Sequence, residues 1–142
     1  MSIRRHGLAC ALLLLAGPAR AGDLLITVRD VASAEGMVRV AACPPEGYPA
    51  GTCRFIARDA ARPGSMEFRI AGLPEGRHGV SVFHDLNGDG KLGTDWVGRP
   101  TEPVGFGNDA PIGRFGPPEW TAAAVAVPAA GEVRTVVTLR NR

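Results

Sequence analysis

Asp85, Asn87 and Asp89, followed by Gly90 and Lys91, place side-chain oxygens at alternate positions of one short segment, Asp-Leu-Asn-Gly-Asp-Gly-Lys-Leu. Calcium loops use this D-x-N-x-D-G spacing: alternate residues turn oxygens to one centre, the glycine permits the bend, and the next residue offers its carbonyl. The expected donors are Asp85, Asn87, Asp89 and the Lys91 carbonyl. Asp95 would close part of a shell of about six to eight oxygens, and Leu92 would anchor the loop by packing inward. The twelfth position is Trp96 where a calcium hand carries glutamate, and the residues before Asp85 read as a strand. The expectation is therefore a strand-loop calcium site with a structural role. An acidic, glycine-rich surface turn without metal is the alternative.

His84 stands next to Asp85, a pairing that invites a hydrolytic reading. A catalytic base, however, needs a nucleophile and a third partner placed by the fold. No G-x-S-x-G, H-E-x-x-H or activated cysteine is present, which favours a packed or hydrogen-bonded His84. The segment after Asp85 also collects Trp96, Pro100, Pro103, Phe106, Phe115, Pro117, Pro118 and Trp120. Trp96, Phe106, Asn108 and Trp120 are the candidate ligand contacts, with a glycan, a peptide or an envelope protein as the expected partner. The rival reading has the aromatics packing the loop onto the domain.

Something must position this segment, and the periodicity of the remaining chain says what. Leu24, Ile26 and Val28 alternate with polar or outward positions, as do Val38, Val40 and Ala42, and Met66, Phe68 and Ile70. A period of two is the mark of strands with one buried face. Further strands are expected around Cys53 to Ala57, from Val80 into His84-Asp85, and at 122–127 and 133–139. Gly72-Leu73-Pro74-Glu75-Gly76 and the segment 128–131 supply turns. About seven short antiparallel strands, each with one apolar face, predict two packed sheets, an all-β transthyretin-like or immunoglobulin-like sandwich. A small closed barrel is the alternative. The stretch of thirty-odd residues between Asp85 and Trp120 has almost no strand pattern, and long ordered loops of this kind are usually functional.

With 142 residues, 45% of them hydrophobic and 21% charged, the chain suits one domain and excludes a Rossmann enzyme or a TIM barrel. Glycine (19) and proline (12) exceed a fifth of the residues, which fits a turn-rich β protein. Residues 1–21 carry Arg4 and Arg5, then a leucine-rich run, then Ala19-Arg20-Ala21, the layout of a secretory signal peptide. The expected mature domain is 22–142, in the periplasm or outside the cell. No later stretch reaches the roughly 20 apolar residues of a membrane span.

Removing Arg4, Arg5 and Arg20 from 16 basic residues leaves 13 against 14 acidic, so the formal charge of +2 becomes −1. Nothing in that balance argues for nucleic acid, and a monomer is expected. Two cysteines remain, Cys43 and Cys53, in a chain bound for an oxidising compartment, and a disulfide between them is the economical reading. A cysteine-based metal site would lack nearby His or Cys partners.

The run Val82-Phe83-His84-Asp85-Leu86-Asn87-Gly88-Asp89-Gly90-Lys91-Leu92 is followed by Gly98, Pro100, Glu102, Gly105-Phe106, Asn108 and Phe115-Gly116-Pro117-Pro118. This order of motifs resembles the bacterial family catalogued as domain of unknown function 2141. Its members read HDxNxNGKLD, then GxPxExYGFSNNA, then a GPP segment. Gly93 replaces the usual aspartate here, Gly107 a serine and Asp109 the second asparagine, while Gly36 to Val40 and Leu73-Pro74-Glu75-Gly76 fit the family's opening strands and LPxG turn. The resemblance implies a secreted β-sandwich with a D-x-N-x-D-G loop and supplies no established activity. The leading expectation is thus a secreted, non-enzymatic module with a calcium-stabilised loop that serves as a binding surface. The alternatives are a small periplasmic hydrolase using His84 and Asp85, and a purely structural role.

Overall fold

The computed structural model describes Gly17 and residues 20–141. Of the expected leader, only Gly17, Arg20 and Ala21 fall among them. Eight strands form: β1 (Ala21–Val31), β2 (Met37–Cys43), β3 (Ile56–Ala60), β4 (Gly64–Pro74), β5 (Gly76–Asp85), β6 (Val104–Phe106), β7 (Ala124–Val127) and β8 (Glu132–Thr138). They build a three-stranded sheet, β4-β1-β8, and a five-stranded sheet, β3-β2-β5-β6, with β7 also pairing β5. β6 and β7 take successive stretches of the same β5 edge, β7 over Gly76 to Gly79 and β6 over Ser81 to Phe83.

The two-residue alternation does what it predicts. Leu24, Ile26, Val28, Val38, Ala42, Val80 and Val137 are fully buried in one cluster between the sheets. Each such side chain removed from water contributes about 1.5–3 kcal/mol, which fixes register, because a one-residue slip would turn the whole set outward. The chain is an all-β sandwich, as expected.

Three details differ from the sequence reading. β1 pairs with β8 in parallel, not antiparallel, from Asp23 with Glu132 to Arg29 with Thr138; no hairpin joins these distant segments, so no turn signal announces their direction. The expected third strand begins at Ile56, because Cys53 is held by a disulfide to Cys43 with Cα atoms 5.7 Å apart. The segment 122–127 opens as a single helical turn, α1 (Trp120–Ala123), before β7 starts.

The stretch after Asp85 is also less irregular than its sequence suggests. β6 is short and buried, and it joins the sheets by reciprocal backbone bonds between Val104 and Arg140 (3.1 and 2.9 Å). Residues 93–101 form a small hairpin, closed by Thr101 N–H on the Gly93 carbonyl (2.9 Å) and Asp95 N–H on the Arg99 carbonyl (2.8 Å). A second apolar cluster of Val104, Phe106, Ala110 and Ala123, with Tyr48, Phe83 and Ile112 against it, packs this segment on the outside of the five-stranded sheet.

Candidate functional site

Register assembles the site on that outer face. Cross-strand neighbours place Ile56, Ala41, Ser81 and Phe106 in one row and Arg58, Arg39, Phe83 and Val104 in the next. Strand alternation turns these residues away from the core that holds Val38, Val40, Val80 and Val82. The loop after Asp85 arches over the rows without filling the space beneath it. A groove of about 710 Å³ remains, floored by Ala41, Ser81 and Phe83 and walled by Ile56, Leu92, Val97, Ile112 and Phe115. That volume is within the range of about 300–1,000 Å³ typical of small-ligand sites.

The D-x-N-x-D-G turn forms one shoulder of the groove, and its oxygens are occupied by the protein itself. Asp85 is fully buried. Its Oδ2 accepts Arg39 Nε–H at 2.6 Å and Gly90 N–H at 2.9 Å, while Oδ1 is buried with no partner. Burial pushes the Asp85 carboxyl up, but Arg39 and the Gly90 and Gly88 amides outweigh it and hold the group below the usual carboxylate range. Asn87 Oδ1 accepts Asp89 N–H (3.2 Å), and Asp89 Oδ1 accepts Lys91 N–H (2.9 Å), two local turns of the kind Asn and Asp favour.

Asp95 lies in the 93–101 hairpin. It accepts Val97 N–H (3.0 Å) and Arg99 N–H (2.8 Å) and pairs with the Arg99 guanidinium. No group of three His, Cys, Asp or Glu arranged for a metal occurs among the described residues. Of the expected donors, Asp85 is paired with a guanidinium and Asp95 is engaged within its own hairpin. Leu92, expected to pack inward, is partly exposed on the groove wall.

Glu102 holds the turn closed, a role its sequence context does not announce. It is buried, with Oε1 accepting Leu86 N–H and Oε2 accepting Gly93 N–H, each at 2.9 Å. One carboxylate thus bridges the two ends of the segment 86–93. The only hint in the sequence is its place between Thr101 and Pro103 in the GxPxE motif.

The other candidates separate. His84 is fully buried on the core side, with Nε2–H donating to the Glu35 carbonyl (2.6 Å). Adjacent strand residues face opposite ways, so His84 and Asp85 lie on opposite faces of β5 and form no catalytic pair. Trp120 packs on β5, where a Cβ at Gly79 would sit 2.4 Å from its ring, and its Nε1–H donates to the Cys43 carbonyl (3.0 Å). Trp96 is 95% exposed, and the groove lining does not include it; the two tryptophans make no shared platform. Asn108 ties α1 to the sheet through Nδ2–H bonds to the Ala122 and Ala124 carbonyls (3.1 and 2.9 Å). Of the four expected ligand contacts, Phe106 alone lines the groove.

An all-β sandwich with a loop-covered groove on one outer face is the class these features define. The model of the family described as "Uncharacterized protein conserved in bacteria (DUF2141)" matches residues 26–135, and the chain belongs to that family. The match runs from within β1 into β8 and spans the groove. Neither the curated proteins nor the solved structures contain a match to it. No helix among the described residues is long and apolar enough to cross a membrane.

Proposed function

We propose that this chain is an exported, non-enzymatic binding module and that the groove beneath the 86–119 segment is its binding site. One observation carries the reading. Of six exposed large apolar side chains among the described residues, four line this one groove, Ile56 from β3 and Leu92, Val97 and Phe115 from the 86–119 segment. A contiguous exposed apolar surface of this kind marks an interaction site. The lining carries no histidine, carboxylate or cysteine, which favours binding over acid-base or covalent chemistry. The signal-like residues 1–21 and the Cys43–Cys53 disulfide support export.

Nile red, an uncharged dye that brightens in apolar surroundings, tests the site in the exported protein. The dye is expected to bind the native protein and to lose most of that binding in Ser81→Phe, which fills the floor while leaving the core untouched. Equal dye binding by both proteins would overturn the assignment. In this reading Arg39 and Glu102 hold the loop without calcium. Calorimetry with calcium, and melting with calcium or chelator, should show no binding heat and no shift; a binding heat with a raised Tm would reverse that part.

A further inference from the structure

We infer that the ligand of this groove is a single-chain anionic amphiphile, an alkyl chain ending in a carboxylate. The inference rests on the groove being the binding site and adds the chemistry of its occupant. Four basic residues, Arg39, Arg58, Lys91 and Arg99, line the groove and no acidic residue does, although acids are as common as bases in 22–142. Two of the four already have a carboxylate partner, Arg39 with Asp85 and Arg99 with Asp95. Arg58 and Lys91 have no carboxylate within ion-pair distance among the described residues. Arg58 comes from β3 and Lys91 from the D-x-N-x-D-G turn.

The two halves of the lining call for two halves of a ligand. Ile56, Phe83, Leu92 and Phe115 gain by covering an alkyl chain, since about 25 cal/mol is released per Å² of apolar surface removed from water. A neutral hydrocarbon would take water from around Arg58 and Lys91 without offering either a counter-charge, which is unfavourable. A terminal carboxylate within reach of Arg58 or Lys91 supplies that charge, and arginine can bind it through two parallel hydrogen bonds. An acidic peptide carries the same charge but brings a row of backbone donors and acceptors, each needing a partner when buried; the groove floor offers only strand centres whose backbone groups are already paired within the sheet.

The test titrates the exported protein with dodecanoate and, separately, dodecanol, both below their aggregation limits, while amide chemical shifts are followed. Dodecanoate is expected to shift Ala41, Ser81 and Phe83 and to bind more tightly than dodecanol. The double variant Arg58→Glu/Lys91→Glu should weaken dodecanoate about tenfold, as expected for two surface charges together worth about 1.4 kcal/mol, and leave dodecanol unchanged. Equal affinity for acid and alcohol, or an acidic peptide binding while dodecanoate does not, would overturn the ligand class and leave the groove standing. Groove amides unmoved by every probe, together with Nile red binding that Ser81→Phe leaves intact, would remove the site itself.

Discussion

Arg39 and Asp85 meet diagonally across the β2–β5 pairing, with the guanidinium Nε–H donating to a fully buried Asp85 oxygen at 2.6 Å. Their strand neighbours in register are Phe83 and Met37 respectively, so the ion pair closes the end of the sheet where the long loop departs. It joins the core, the groove and the loop at one point, since the same Asp85 oxygen also accepts Gly90 N–H.

The two partners should not be equivalent on mutation. Arg39 is partly exposed and reaches water when alone, whereas Asp85 does not. Arg39→Met leaves an uncompensated buried carboxylate and should cost about 3–5 kcal/mol. Asp85→Asn removes the buried charge and should cost less, about 1–3 kcal/mol. Urea denaturation of both variants checks the order; a larger loss for Asp85→Asn would contradict this account of the pair.

Acid should destabilise the protein in a defined window. Burial raises the Asp85 and Asp109 carboxyls, but Arg39 and the loop amides for the first, and the Thr138 backbone amide and side chain with Arg140 for the second, bring both below their usual value. A depressed carboxyl contributes stability that is present above its unfolded pKa of about 3.9 and is lost as pH falls through the folded value. Stability is expected to be flat from neutrality to about pH 5 and to fall below about pH 4. Arg39→Met should flatten that fall, because Asp85 then loses its main source of depression. Melting temperatures across pH 2–7 for both proteins measure the difference.

Glu102 should govern the loop and not the sandwich. Glu102→Ala leaves Leu86 N–H and Gly93 N–H without their acceptors, each buried donor costing about 1–3 kcal/mol if water does not replace it. Hydrogen exchange at Leu86 and Gly93 should accelerate strongly while Leu24, Ile26 and Val82 keep their protection. Loss of protection in the sandwich as well would show that the loop and core unfold as one unit.

How far the chain announces this arrangement depends on whether a feature is local. The sandwich is legible because alternation at Leu24–Ile26–Val28 and Val38–Val40–Ala42 records one buried face residue by residue, and the disulfide is legible because Cys43 and Cys53 are the two cysteines outside the signal-like segment. The groove is not legible, because Ile56, Ala41, Ser81 and Phe106 become neighbours only through the register of four strands. The D-x-N-x-D-G spacing is equally local, yet the groups that hold the turn, Arg39 on the Asp85 carboxylate and Glu102 on the Leu86 and Gly93 amides, are not. Those residues arrive from β2 and from the segment before β6, and no spacing rule connects them to Asp85.

Gly79 and Trp120 make a second long-range contact open to direct test. The indole takes the space a side chain at position 79 would need, and Arg77 lies over the same ring at 5.4 Å. Gly79→Ala should displace Trp120, break its bond to the Cys43 carbonyl and cost about 1–3 kcal/mol, as overpacking does. In a Trp96→Phe background the fluorescence reports Trp120 alone. Its emission should shift to the red in Gly79→Ala, and an unchanged spectrum would mean that the ring is seated by other contacts.

Tyr48 is the single tyrosine of the chain, so absorbance titration reads it without overlap. Burial, and then the nearby Glu119 carboxylate, push its phenol up to about 12, and its hydroxyl donates to the Pro118 carbonyl at 2.6 Å. The protonated form is thus favoured in the folded state relative to an unfolded value of about 10. Between these values the unfolded chain has released its proton and the folded one has not, so stability should fall as pH rises above about 10. Tyr48→Phe should abolish that decline and leave the acid limb unchanged. A tyrosine titrating near 10 in the folded protein would show instead that the contact with Pro118, which ties the disulfide loop to the end of the long segment, opens in solution.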